Sequence, residues 1–121
     1  MNPTNTFLAV FLGSKTSARR KAWDALPEAE RKAKEQAGIA AWYAWATKHQ
    51  PAIVSMGGPL GKTKKVSDHG VEDISNELGA FTVVSAASHE EAAKMFEGHP
   101  HFMIFPGERV EIMPILPIPG M

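Results

Sequence analysis

Glu97-Gly-His-Pro-His-Phe-Met-Ile-Phe-Pro-Gly-Glu-Arg-Val-Glu-Ile-Met-Pro-Ile-Leu-Pro-Ile-Pro119 closes the chain and decides how the rest of it is read. Arg109 to Met113 alternates, with Val110 and Ile112 on one side and Glu111 on the other, which is the period of a half-buried strand. Pro106-Gly107 forms a turn that feeds it. Pro114, Pro117 and Pro119 cannot donate ladder hydrogen bonds, so the tail runs along a sheet edge or reaches across to another subunit. A closing strand needs partners, and three further segments supply them.

Working outward, Phe7 to Leu12 is a continuous apolar run ending at Gly13, which suits a strand buried on both faces. Ala52 to Met56 forms a second strand, closed by Gly57-Gly58-Pro59, and Ala80 to Ala86 a third. Ser17 caps a short helix through Asp24 that carries Trp23. Pro27 opens a longer helix to Lys48, with Glu28 and Glu30 beside its positive end and Pro51 preventing continuation. Ile39, Trp42 and Ala46, with Gly38, Ala41 and Trp45, recur at three- and four-residue spacing and describe one wide buried face. Gly38 inside that helix costs about 1 kcal/mol relative to alanine, which points to close packing at that position. Ser88 and Glu91 form a capping box that starts another helix through about Glu97. The polar stretch from Leu60 to Leu78 is long for a connection and predicts a hairpin or a flap.

The resulting order of strand, helix, strand, strand, helix, strand is the split βαβ, or ferredoxin-like, arrangement: an α+β fold with a four-stranded antiparallel sheet and the helices on one face. The other face of such a sheet is open, and a second copy of the chain satisfies it if it is apolar. A homodimer is the expectation.

At 121 residues the chain has the length of one domain, with no linker, repeat or low-complexity segment to divide it. Thirteen basic residues against thirteen acidic ones leave no positive surplus for phosphate neutralisation, so nucleic acid is not an expected partner. The absence of cysteine excludes disulfides and thiolate zinc sites. The opening Met-Asn-Pro-Thr-Asn lacks the basic and apolar regions of a signal peptide, and no apolar run approaches the roughly 20 residues of a membrane helix. A cytoplasmic protein without membrane partners is expected.

Several segments resemble a known family. Gly57-Gly58-Pro59-Leu60 is similar to its Gly-Pro turn, Glu77-Leu78-Gly79-Ala80-Phe81-Thr82-Val83-Val84 to its third-strand entry, Ser88 to Met95 to its second helix, and Val110-Glu111-Ile112-Met113-Pro114-Ile115 to its final strand. Together, in order and spacing, they resemble the YCII-related and DGPF-like domains of the dimeric α/β-barrel superfamily. The resemblance implies a protomer whose sheet faces that of a second copy, with a cleft on each side. It also implies a group in which most members have no assigned activity, although a dehydrochlorinase is attributed to it. Many YCII members carry a histidine on the first long helix with an aspartate nearby. Here that position falls near Ala40 or Ala41, and no histidine lies within several residues.

The remaining chemistry-bearing residues are few. His99-Pro100-His101 precedes the last strand, and an imidazole with a pKa near 6.5 serves as acid or base at neutral pH; the competing reading is an exposed or helix-terminal pair. Asp68, next to His69, is a candidate to orient one of these histidines across a cleft, although Asp-His-Gly is also an ordinary turn sequence. A metal would need a third ligand from Asp68, His69 or Glu111, and none is expected. Gly57 to Thr63 invites a P-loop reading that the spacing refutes, because Met56 stands where the first glycine belongs. No cofactor is implied. Lys62, with Lys64 and Lys65, offers a loose anion site, while Trp42 and Trp45 with Tyr43 offer walls for a planar ligand or, at helical spacing, core and interface packing.

Two functions follow. One is a small cofactor-independent enzyme of lyase or isomerase type that binds an organic molecule in a dimer cleft, with His99, His101 and Asp68 as catalytic residues and Trp42, Trp45 and Lys62 as ligand-binding residues. The other is a non-catalytic dimeric module that binds a small apolar or anionic ligand in a sensing or regulatory role.

Overall fold

The computed structural model describes residues 5–120; residues 1–4, part of the opening segment considered for a leader sequence, lie outside the described residues. Strand β1 (Thr6–Leu12) is followed by α1 (Ala18–Asp24), α2 (Glu28–Lys48) and a single 3-10 turn at Gln50–Ala52. Then come β2 (Ile53–Pro59), β3 (Thr63–Ser67), β4 (Gly70–Ile74), β5 (Leu78–Ser85), α3 (His89–Lys94), α4 (Pro100–Met103) and β6 (Arg109–Pro114). The main sheet has the order β2-β5-β1-β6, with every neighbouring pair antiparallel. Strands β3 and β4 pair only with each other.

Register fixes which residues meet the helices. Phe7, Ala9 and Phe11 pair with Val84, Thr82 and Ala80 on one side and with Pro114, Ile112 and Val110 on the other. These positions form the core face, where Phe7, Ala9, Phe11 and Val84 pack with Trp45 of α2, Ala92 of α3 and Phe96. Both helices therefore lie on one side of the sheet. Leu8 and Val10 fall on the opposite side and are half-buried, so β1 is not buried on both faces as its continuous apolar run suggested. The helices cover one face only, and period-2 alternation decides the rest.

Capping follows the sequence closely. Ser17 Oγ accepts from the Arg20 amide at 3.1 Å, and Ser88 Oγ accepts from the Glu91 amide at 3.1 Å. Helix α3 ends at Lys94, short of Glu97, and a separate turn of helix, α4, starts at Pro100 with His99 as its N-cap. The proline at the first helical position explains this second start, since its missing N–H would be unpaired there anyway.

The polar stretch between β2 and β5 is a hairpin whose two-residue turn is Asp68-His69, with Lys64–Asp73 and Lys65–Glu72 as cross-strand ion pairs. Glycines 57 and 58 do not end β2 as expected. They sit in an irregular strand that continues to Pro59, with register shifts on either side of Ser55. Gly57 has φ +63°, and a Cβ there would fall 2.0 Å from the Phe81 carbonyl oxygen, so only glycine fits. Thr82 Oγ1, buried behind the bulge, donates to the Met56 carbonyl at 3.0 Å.

Candidate functional site

The irregular end of β2 stands away from α2, and the gap between them is an apolar cleft of about 550 Å³. Ile39, Trp42 and Tyr43 of α2 line one side, Met56 to Pro59 of β2 another, and Phe11, His101 and Phe105 complete it. Helix α2 was expected to bury Ile39 with its neighbours, yet Ile39 is 51% exposed and Tyr43 72% exposed. Both line the cleft, and among the described residues nothing covers them.

Phe105 is held in place by a glycine. A Cβ on Gly38 would lie 2.5 Å from its ring, so the absence of a side chain in mid-helix is what lets the ring lie against α2. Its ring also meets Trp23 at 5.8 Å and Trp42 at 6.2 Å. His101 is set by a second glycine. A Cβ on Gly107 would fall 2.2 Å from the imidazole, and the Gly107 carbonyl is itself pinned by Arg19 Nη1–H at 2.8 Å. Helix α1 thus braces the loop that packs against the ring.

A second, more polar cleft of about 1040 Å³ adjoins the first between the β3–β4 hairpin and the loop after β1. Lys15, Arg20, Lys62 and Lys64 border it, and it shares Gly79, His101 and Phe105 with the apolar cleft.

The candidate residues separate as follows. His101 borders both clefts. Its Nε2 lies 2.9 Å from the Leu12 carbonyl, an arrangement that places the proton on Nε2. Burial pushes its pKa down, and the Arg19 charge adds to this; the carbonyls of Leu12 and Arg109 pull partly in the other direction. His99 lies in the core, fully buried, among Phe11, Trp42, Trp45 and Phe96. Burial, with the charges of His101 and His49, pushes its pKa down to about 4, so it is neutral at physiological pH. It borders neither cleft. Asp68 is at the tip of the hairpin, 3.6 Å from His69, with both side chains almost fully exposed. It borders neither cleft and has neither His99 nor His101 as an ion-pair or hydrogen-bond partner. Trp42 walls the apolar cleft and Lys62 the polar one, whereas Trp45 is a core residue whose Nε1–H donates to the Met95 carbonyl at 2.8 Å. The structure therefore brings Trp42, His101 and Lys62 to one continuous depression and keeps His99, Trp45 and Asp68 apart from it. Sequence reasoning missed Phe105, Met56 and Ile39 as cleft residues; Gly38 was the signal that a ring packs across α2.

Among the described residues no group of three or more histidine, aspartate or glutamate side chains converges on a point where a metal ion would be held. No described helix is long and apolar enough to cross a membrane.

No protein-family model matches the chain, and no curated protein does. A solved structure does match: 5-chloro-2-hydroxyhydroquinone dehydrochlorinase from Burkholderia phenoliruptrix AC1100, in complex with 2,5-dihydroxybenzoquinone. It aligns with a TM-score of 0.50 and 18% identity over 89% of this chain and 90% of its own. The fold is ferredoxin-like. At that identity the two proteins share an architecture, and the motif resemblance to the YCII-related group has support at the level of fold alone.

Proposed function

We propose that this protein binds a small, flat, largely apolar organic molecule in the cleft between α2 and β2. The observation that carries the reading is the wall itself. A concave space of about 550 Å³ is bounded by Trp42 and Tyr43 on α2 and by Phe105 in the bend after α4, within the size range of small-molecule sites. Two glycines shape it, Gly38 by admitting the Phe105 ring and Gly57 by bending β2 outward. The structural neighbour, which shares only the fold, is in complex with a dihydroxybenzoquinone, a flat ring of the class this cleft is sized to take.

Acid–base chemistry is the second reading, and His101 favours it. It is the histidine that borders both clefts, and it is neutral at physiological pH because burial lowers its pKa. Its Nε2 is engaged by the Leu12 carbonyl, however, so a substrate proton would have to be taken at Nδ1. Binding without turnover needs no such group and stands first.

A second copy of the chain belongs to the same reading. Leu8, Val83 and Met113 share one side of the sheet by register, with Val10, Phe81 and Glu111 beside them, and the core packing of α2 and α3 is on the other side. Light scattering at twice the 13.1 kDa chain mass would support the pair, and a monomer across the micromolar range would remove it.

The test of ligand binding is a thermal-shift screen of one- and two-ring aromatics and hydroxyquinones, repeated on Trp42→Ala. A ligand at a hundred times its Kd stabilises the folded state by about 2.7 kcal/mol, a readily measured rise in Tm. The expected result is a rise in the parent that Trp42→Ala loses. No rise with any compound of this class contradicts the proposal.

A further inference from the structure

The two adjoining clefts differ in charge, and this difference bears on the ligand. The apolar cleft has no charged residue on its wall other than a histidine held neutral. The polar cleft is bordered by four cationic side chains, Lys15, Arg20, Lys62 and Lys64, against two carboxylates, Asp73 and Glu77. Lys64 is neutralised by Asp73 at 2.7 Å, and Arg20 by Asp24 at 3.2 Å. Among the described residues Lys15 and Lys62 form no ion pair. Glu77 forms none either, so the unpaired side chains on this cleft are two ammonium groups against one carboxylate, a net single positive charge, and the cleft opens past His101 and Phe105 into the aromatic one.

We infer that the ligand is an anionic aromatic, a flat ring carrying a carboxylate at one end, with the ring against Trp42 and Phe105 and the carboxylate toward Lys62 and Lys15. This rests on the ligand-binding reading above and adds the ligand's charge and orientation. The ring gains from burial against carbon, which two ammonium groups in solvent cannot supply. The carboxylate remains in the hydrated compartment, where it avoids the desolvation that an apolar cleft would impose. Lysine suits this role as a point charge on a flexible stem, which does not require one fixed geometry of its partner.

Lys15 and Lys62 are exposed and their contribution is modest, so the expected preference is modest too, about tenfold in Kd between a carboxylate and its neutral isostere. It is also screened by salt.

The experiment measures the affinities of 2-naphthoate and naphthalene-2-carboxamide by calorimetry, on the parent chain and on the double variant Lys15→Ala, Lys62→Ala. The two probes share a ring system and differ in charge. We expect 2-naphthoate to bind about tenfold tighter to the parent, and the double variant to bring the two within about twofold while leaving the carboxamide nearly unchanged. A preference that shrinks as salt is raised supports the same conclusion. Equal affinity for the two probes on the parent overturns the inference about charge and leaves the aromatic cleft standing. A preference that survives in the double variant overturns the assignment to Lys15 and Lys62. Binding of neither probe overturns both this inference and the ligand-binding reading beneath it.

Discussion

The backbone N–H of His101 donates to Nδ1 of His99 at 3.0 Å, and this contact assigns opposite roles to two histidines separated by one proline. His99 becomes the N-cap of α4, its proton sits on Nε2, and that nitrogen has no hydrogen-bond partner in the core. The rings around it include Trp42, edge-on at 4.5 Å, and Trp45 at 4.8 Å, whose π faces are weak acceptors at best. His101 turns the other way, to the Leu12 carbonyl and the clefts.

Stability is expected to fall on acidification. His99 has a folded-state pKa of about 4 against 6.5 when unfolded, so between those values the unfolded chain binds the extra proton. The stabilisation is complete above about pH 6.5 and is lost as pH falls toward 4, on the order of 3 kcal/mol in all. His49 and His101, also lowered, act in the same direction. Urea midpoints at pH 7 and pH 5 measure it; about 2 kcal/mol less at pH 5 is expected, and a flat profile contradicts a neutral core histidine. His99→Asn, which keeps a cap acceptor, should make the profile shallower, leaving the smaller contributions of His49 and His101.

Gly57 and Gly58 are adjacent, and their responses to alanine should differ. At Gly57 a Cβ meets the Phe81 carbonyl with φ at +63°, so alanine should cost more than about 2 kcal/mol. At Gly58 nothing lies within 4 Å, and alanine should leave stability within about 0.5 kcal/mol of the parent. Paired denaturation curves settle the point, and equal costs would contradict the bulge.

Gly38→Ala sets helix propensity against packing. Alanine gains about 1 kcal/mol in α2, but its Cβ meets the Phe105 ring at 2.5 Å, and overpacking costs about 1–3 kcal/mol. A net loss of about 1 kcal/mol is expected, together with weaker ligand binding as Phe105 is pushed into the cleft. A more stable variant would show that the ring is free to move aside.

Asp68→Ala should change neither affinity nor stability by more than about 0.5 kcal/mol, because the carboxylate is exposed at a hairpin tip and its partner His69 is exposed too. Calorimetry on the variant checks this, and a large loss of affinity would place the hairpin tip over the site.

Much of the fold is legible in the sequence. The alternation of Val110, Glu111 and Ile112, the caps at Ser17 and Ser88, and the prolines Pro27 and Pro114 are local signals, and each corresponds to an element end or a strand face, whereas Gly57 and Gly58 lie inside β2 rather than at its end. What is not legible depends on contacts distant in sequence. Ile39 reads as core by periodicity but faces the cleft, because β2 bulges away from it at Gly57. His99 and His101 are equivalent in sequence and separate only when Trp42, Trp45 and Phe96 close around one of them. Gly38 signals close packing, but Phe105 is identifiable only in three dimensions.

The central claim is that the cleft beside Trp42 takes a flat ring. The most direct measurement is a titration of the protein with 2-naphthol, followed through the indole N–H resonances. Trp42 borders the cleft, whereas the Trp45 N–H is tied to the Met95 carbonyl in the core. The predicted result is a saturable shift of the Trp42 resonance with Trp45 nearly still. A Trp42 resonance that does not move at the solubility limit of 2-naphthol would contradict the claim.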